Sequence, residues 1–549
     1  MTKWLRWHQH ARTKWLQCGD RNTRFFHATA TQKLRNKCIS TIQVDGAQVV
    51  GTNSIVNEFT DFVKAILGTV HETILFQPTT LYQDDSSLLA PLALPFSEHE
   101  IKVAVMGLQD NKSCGPDGYP NEFFKLNWDL VKHDLMDIFE ELFMHNLDLK
   151  DSNLAHIILL PKEDNAQLLS SFRPISVISY LPKLISKVLS NGLAVFLPEL
   201  ICNTQTGFVK GRIISENFNC AREIIANISN SNEPAFMMKL DFRKAFDTVT
   251  WPFLFNLLQA RGFPPNFLQR INLLFTTSTS AILINGTLGQ SFKHKRGLRQ
   301  VDPLSPALFI LAADVLSRML KSIVLSVQHR LTPRLIDPFY LLQFADDTLL
   351  FSTVRGRSTS LATMVLNTFS KISGIDINWT KTCFVPFNLS APQVDSLQRQ
   401  LHCNCAELSM TYLGLPLTHK RPTRDCFQKL IATVSKKLAG WKCSLLSRAG
   451  RIVLTASVLS SIPVYYMSVF HLPAWVIKDI DQIRRKFIWK GTGTTSAGIP
   501  LLAWDRMCLP KSLGGFGLVD LLLQNICLLV RWWWRLYSHP DSLWSVLAR

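Results

Sequence analysis

Residues 339–351 read FYLLQFADDTLLF, two strongly apolar runs with a pair of adjacent carboxylates, Asp346 and Asp347, between them. Apolar arms of this length predict a β-hairpin, with strands at Phe339–Phe344 and Thr348–Phe351 and the acids at its tip. Such a tip is costly, because a buried carboxylate without a partner is strongly destabilising or shifts its pKa and neutralises. A divalent cation offsets that cost. Hard Mg²⁺ prefers carboxylate oxygen and keeps positions open for phosphates. The alternative for the dipeptide alone is an exposed Asp-Asp turn that binds nothing.

A second apolar run, Ala235–Leu240, reads as a buried strand ending on Asp241, within AFMMKLDFRKAFDTV. Two strands that each deliver an acid at one end of a sheet can hold two cations. That geometry clamps the attacking and leaving oxygens of an in-line phosphoryl transfer. Read singly, Asp241 and Asp247 would be surface or helix-capping acids.

Charge points the same way. The chain has 59 Lys+Arg against 41 Asp+Glu, a net charge of +18. An excess of this kind suits a polyanionic partner, since each neutralised phosphate releases a counterion; the alternative is solubility alone. At 549 residues, 47% hydrophobic and 18% charged, the chain is expected to fold into several units and not to be disordered. Its 12 Cys include no CxxC. His402, Cys403 and Cys405 lack usual zinc-ligand spacing, and the thiols read as buried and reduced in an intracellular protein. The basic, aromatic N-terminus has no apolar core and is no signal peptide. No apolar run is long enough for a membrane span, so no membrane partner is expected.

Along the chain there is no internal repeat. Residues 75–95 read as loop. Ser97 and Glu100 form a capping-box pattern ahead of a helix, and a longer helical stretch is expected from Asn121 to about Asn146. Trp251–Arg261 reads as a helix stopped by Gly262, Ser278–Asn285 as a strand, and Pro303 suits the first turn of a helix. Strands interleaved with helices from 155 to 420 give an α+β pattern. Helices follow near 425–439, 447–462 and 474–490, then an aromatic tail in which Trp532, Trp533 and Trp534 cannot all face one side.

In order, KLDFRKAFD, GLRQVDPLSP and FADD resemble the three central palm motifs of reverse transcriptases. As spelled here, the first two resemble the LINE-type branch, that of non-LTR retrotransposons. CGPDGYPNEFFK (114–125), LLPKEDNAQLLSSFRPISV (159–177) and QTGFVKGR (205–212) resemble the finger blocks before the palm. GIDINWTKT (374–382) and YLGLPL (412–417) resemble the blocks after it. These eight blocks in order form a specific pattern. KWLQCGDRNTRFFH (14–27), GWKCSLLSRAGRIVLTASVLSSIPVYYMS (440–468) and LGGFGLVD (513–520) are similar to plant LINE polyproteins in particular.

The resemblance implies a right-hand polymerase fold of fingers, palm and thumb with helical N- and C-terminal extensions. The expected map is an N-terminal extension at 1–95, fingers at 96–232, palm at 233–420 (reverse transcriptase core about 155–420 overall), a helical thumb at 421–492 and a C-terminal segment at 493–549. It implies RNA-directed DNA polymerase activity on an RNA template and DNA primer with dNTPs, using two Mg²⁺ ions or Mn²⁺ in their place. By motif position Asp241 and Asp346 would ligate the metals and Asp347 complete the cluster. Phe246 would exclude a ribose 2′-hydroxyl, and Gln300 would lie near the incoming nucleotide. Arg173, Lys162 and Lys381 would reach the triphosphate, and Leu413 and Gly414 would form the primer grip. The basic residues have solvated surface charge as their alternative, and Phe246 has an ordinary core position.

Lys436, Lys437, Lys442, Arg448 and Arg451, interleaved with Trp441, read directly as a nucleic-acid-binding cluster, as do Lys478, Arg484, Arg485, Lys486 and Lys490 after them. There the aromatics are expected mostly in the core and the basic residues mostly functional. Nuclear action follows from the family's target-primed synthesis. A complete protein of the family would carry an endonuclease before residue 1 and a zinc region soon after residue 549, so a fragment is expected.

One departure stands out. The second motif of the family reads RQG, but here Val301 occupies the Gly position. Added bulk and restricted φ/ψ there predict impaired activity. Two other classes therefore stay open: a catalytically inactive nucleic-acid-binding remnant, and a maturase-like RNA-binding protein.

Overall fold

In the computed structural model, residues 31–32, 37–70, 74, 78, 81–82, 86–326, 339–354, 357–419, 421–438, 446–490 and 500–549 are described. Strands β1 (Thr41–Val44) and β2 (Ala47–Val50) pair as a hairpin. Next come β3 (Leu154–Pro161), β4 (Phe172–Ile178), β5 (Ala235–Leu240), β6 (Thr279–Ile284), β7 (Thr287–Leu288) and β8 (Phe292–Lys293). Then follow β9 (Phe339–Phe344), β10 (Asp347–Thr353), β11 (Cys383–Phe387) and β12 (Asn404–Cys405), and finally β13 (Met410–Tyr412) and β14 (Leu415–Leu417).

The chain divides into two compact units. The first joins Cys38–Asn217 to Asn227–Glu407, and the second gathers Phe218–Ala226 and Leu408–Arg549. The first is α+β. Its central sheet has the order β12-β11-β5-β10-β9, antiparallel except where β11 meets β12. Its second sheet runs β4-β3-β6-β7 with β8 also on β6, and β3 pairs parallel with β6.

Strand β5 is buried at Ala235, Phe236, Met237, Met238 and Leu240, and only Lys239 is half-exposed. Consecutive residues point to opposite faces, so a strand covered on both sides reads as an unbroken apolar run. Helices Tyr180–Ala194, Trp251–Ala260, Ser305–Ser326 and Ser358–Ser373 contribute Leu184, Leu257, Leu308 and Phe369 to one apolar core with β5.

Local chemistry fixes several boundaries. Helix Glu98–Gly107 begins with the expected capping box between Ser97 and Glu100. Helix Trp251–Ala260 stops before Gly262, whose φ is +75°. The stretch expected as one helix from Asn121 is two, Asn121–Leu126 and Trp128–Phe143. Asn127 separates them, its Nδ2 donating to the Phe123 carbonyl at 2.8 Å and competing with helical pairing. Pro303 does not open a helix. Leu304 N–H is taken by Asp302 Oδ1 and Ser186 Oγ, and the helix starts at Ser305. Within 75–95, Ser86–Ala93 forms 3₁₀ turns.

The second unit contains the hairpin β13–β14 and the helices Arg424–Leu438, Ala474–Lys490 and Leu521–Ser538. The expected helix at 447–462 is Arg448–Leu454 followed by a π turn at Thr455–Leu459. Trp532 is buried and donates to the Ser468 carbonyl at 2.7 Å, whereas Trp533 and Trp534 are exposed. Arg484, expected among the surface cations, is fully buried. It bonds Asp481, Ser460 Oγ and the Val519 carbonyl.

Among the described residues no helix is long and apolar enough to cross a membrane. The described cysteines are free thiols. Cys220 and Cys403 are buried as expected, but Cys38, Cys114, Cys405 and Cys527 are exposed.

His294, next to β8, gives the first unit an acid sensitivity. Its Nε2 lies 2.8 Å from Ser280 Oγ, and burial, then the nearby Arg299, push its pKa from 6.5 down to about 3. The folded state keeps the ring neutral while the unfolded chain protonates it. Its contribution is therefore present above pH 6.5 and lost as pH falls from there towards 3. Urea unfolding between pH 7 and pH 5 should show stability dropping by up to about 1.4 kcal/mol per pH unit from this group. His294→Gln should flatten that slope, whatever its effect at pH 7.

Candidate active site

The register of β5 against β10 pairs Leu240 with Thr348, so Asp241 follows β5 at the end where β10 begins with Asp347. β9 and β10 close through a two-residue turn, Ala345–Asp346, because Phe344 pairs with Asp347. Ala345 has φ +56°, a conformation costly to an L residue at the first position of a tight turn. The three predicted acids thus meet at one edge of the central sheet.

Asp241 is held by the 374–382 stretch. Its carbonyl accepts Asn378 N–H at 2.7 Å, its Oδ2 accepts Asn378 Nδ2 at 3.1 Å, and its own N–H donates to Thr382 Oγ1 at 3.2 Å. Burial raises the Asp346 carboxyl above the ordinary carboxylate range, with Arg173 opposing and Asp241 adding to the shift. Burial also raises Asp347, and repulsion from Asp346 and Asp241 adds to it against Lys239. Both residues are nevertheless exposed at the turn, as in the exposed Asp-Asp alternative, and so open to solvent.

Positive groups stand near. Lys162 is shifted down by burial first, then by the like charges of Lys381 and Arg173, while Asp247 and Asp241 oppose. Its Nζ donates to the Ser170 carbonyl at 2.8 Å. Arg173 lies opposite Leu160 on the β3–β4 hairpin. Lys162 thus lies in the field of Asp241 and Asp247 and Arg173 in that of Asp346, with Lys381 close to Lys162.

Gln300 Nε2 donates to Asp247 Oδ1 at 3.0 Å. Asp247 is no surface acid. It is buried, and burial pushes its carboxyl up to about 6 against Gln300 and Lys244. The Lys244 ammonium sits 3.8 Å from the Phe62 ring centroid and is pulled down to about 8, mainly by burial. Phe246 stacks on Phe309 with centroids 4.2 Å apart and rings inclined by 18°.

Val301 occupies an unfavourable backbone state. Asp302 N–H donates to the Arg299 carbonyl, so Arg299–Asp302 is a β-turn with Val301 at its third position. Its φ is +79°, the value a type II turn requires there and Gly normally supplies. Val301 is 68% exposed, and the expected φ/ψ restriction shows as backbone strain.

Leu413 and Gly414 lie in the second unit as the turn of β13–β14, with φ of +48° and +80°, and Tyr465 Oη donates to the Leu413 carbonyl at 2.9 Å. Lys436 and Lys437 are exposed in the last turn of their helix, Arg448 is exposed in a first turn, and Arg451 is half-buried. Lys442 and Trp441 fall outside the described residues.

Carboxylate oxygen suits Mg²⁺, which takes its remaining ligands from water and substrate phosphates. Among the described residues no group of three or more His, Cys, Asp or Glu side chains is placed to hold a metal ion. Cys383, paired with Asn404, stands near Cys403 and Cys405, but burial and its two thiol neighbours push Cys403 up to about 12.

Residues 160–417 match the reverse transcriptase (RNA-dependent DNA polymerase) family. That stretch is a reverse transcriptase domain of the non-LTR retrotransposon type. An uncharacterized 149 kDa protein of transposon TX1 from Xenopus laevis is 26% identical over 96% of this chain and 40% of its own length. A Pol polyprotein of the type-2 retrotransposable element R2DM from Drosophila melanogaster is 29% identical over 42% of the chain and 21% of its own. A putative ribonuclease H protein of Arabidopsis thaliana is 36% identical over 25% of the chain and 22% of its own. The chain thus spans less than half the length of these relatives. The structure of telomerase from Candida albicans in complex with a telomeric RNA fragment aligns over 88% of this chain and 86% of its own, at 14% identity and TM-score 0.36.

The acids, Arg173, Lys162 and Lys381 were visible as motif letters. Asn378 and Thr382 lie within GIDINWTKT, and their role appears only once β5 and the 374–382 stretch are neighbours.

Val301→Gly should stabilise the fold by about 1 kcal/mol, the strain relieved exceeding the added chain entropy. A higher urea midpoint at unchanged m-value is the expected reading.

Proposed function

We propose that this chain is the RNA-directed DNA polymerase of a LINE-type retroelement, extending a primer 3′-hydroxyl on an RNA template with dNTPs. The reading rests on one observation: Asp241 and the Asp346–Asp347 pair meet at the shared end of β5 and β10, within the field of Lys162, Arg173 and Lys381. On this reading the fold is a right hand, with fingers at 96–232, palm at 233–420 and thumb at 421–492, and it works in the nucleus. The activity and partners of the longer relatives enter only as part of this proposal.

Asp241 and Asp346 would hold two Mg²⁺ ions, with Asp347 completing the acidic edge; when bound, the metal activates the hydroxyl and neutralises phosphate charge. Asn378 orients the Asp241 carboxylate. Arg173 and Lys162 would offset charge on the departing pyrophosphate, and Lys381 would donate a proton to it. The Phe246 ring, fixed by its stack on Phe309, would sit under the sugar and reject a 2′-hydroxyl. Leu413 and Gly414 would support the primer end, and Lys436, Lys437, Lys442, Arg448 and Arg451 would contact nucleic-acid phosphates.

The strain at Val301 favours a second reading, a remnant that binds nucleic acid without synthesis. Primer extension on RNA with Mg²⁺ separates the two. Under the polymerase reading Val301→Gly extends faster than the parent chain, and Asp346→Ala with Asp347→Ala abolishes extension by at least about 10³-fold. Silence from both the parent and Val301→Gly, with RNA binding intact, would establish the remnant.

Sugar discrimination gives a separate check. Phe246→Ala should raise ribonucleotide incorporation relative to deoxynucleotide on the order of 10-fold or more. An unchanged ratio would remove Phe246 from the role.

A further inference from the structure

A tight turn that places an alanine at positive φ does not hold itself. The conformation costs about 1 kcal/mol or more, and a buried turn amide still needs an acceptor. The segment 204–207 supplies both restraint and acceptor. It lies along β9 through a parallel bridge between Gln205 and Gln343, with Gln343 N–H donating to the Thr204 carbonyl at 3.0 Å and Thr206 N–H to the Gln343 carbonyl at 2.9 Å. From that track the fully buried Gln205 reaches the turn. Its Oε1 accepts Ala345 N–H at 2.9 Å and Gly207 N–H at 2.9 Å.

The approach is close enough to exclude any side chain at position 207. A Cβ there would lie 2.6 Å from Ala345 N and 3.2 Å from the Phe344 carbonyl carbon. Asn217 Nδ2 braces the contact, donating to the Gln343 carbonyl at 2.8 Å and to Thr206 Oγ1 at 3.1 Å. Gln205 Nε2 and Gln343 Oε1 are both buried without a partner, one a donor and one an acceptor on bridged residues. Polar groups this deep in the fold are retained where they fix a geometry.

We propose that Gln205 is a positioning residue for the Asp346–Asp347 turn, its side-chain oxygen anchoring the Ala345 amide and so setting the direction of the carboxylate one residue on. Gly207 is the space that lets this clamp close. What the clamp serves rests on the polymerase reading; the clamp itself does not.

The test combines amide hydrogen exchange with steady-state extension kinetics, using whichever of the parent chain and Val301→Gly extends primers. Gln205→Met keeps the volume and removes the acceptor; Gly207→Ala closes the space independently. Thr206→Val, which loses one brace and leaves the acceptor, is the stability control. Exchange at Ala345 should rise at least about 10-fold in the first two variants while Leu349 and Leu350 stay protected. The kcat should fall on the order of 10²-fold at unchanged template–primer KM, the scale set by a misplaced catalytic group. Unchanged Ala345 exchange would overturn the proposal. So would a kcat loss that only tracks folded fraction, with Thr206→Val falling equally at equal loss of Tm. Absence of extension by every protein would sink the polymerase reading, while raised exchange at Ala345 alone would still support the clamp.

Discussion

The antiparallel register between β5 and β10 is the constraint on which the site depends. With Leu240 opposite Thr348, the two strands run out together, and each hands over an acid at the same edge. A slip by one residue would turn every side chain of one strand to the opposite face. The apolar content of β5, covered on both faces, removes that freedom, because any other alignment would place Lys239 where a buried apolar residue belongs. Repulsion among three neighbouring carboxyls is thus sustained by hydrophobic burial elsewhere in the sheet.

The basic residues follow the same logic from the other side. Lys162 and Arg173 come from the β3–β4 hairpin and Lys381 from the stretch that also orients Asp241. Burial first, and their mutual repulsion after it, lower the Lys162 pKa, just as burial and then like-charge repulsion raise Asp347. An acidic cluster and a basic cluster, each strained by its own like charges, are what the proposed metal and polyphosphate would relieve together.

Much of this was legible in the sequence because it is carried by local pattern. The hairpin at 339–353, the strand ending on Asp241 and the capping box at Ser97 all announce themselves within a few residues. What the sequence hid depends on partners far along the chain. Gln205 meets Ala345 across 140 residues and Asn378 meets Asp241 across 137. The break at Asn127 was missed because a single side chain's preference for a carbonyl outweighs helical periodicity on either side. Arg484 shows the limit of composition: within a run of cations it is the one that the second unit buries as structure. At position 301 the restricted φ/ψ expected of valine is what the turn displays, because its third residue must take a positive φ.

That turn has a genetic corollary. Valine and glycine codons differ at one base, GTN against GGN. The side chain at 301 is largely exposed, so a glycine there would leave no packed neighbour unsupported. The strained turn is therefore a single nucleotide away from relief, and the core, the acid edge and the clamp would meet the reverted residue unchanged. A defect of this kind is shallow: it separates two alleles and not two folds.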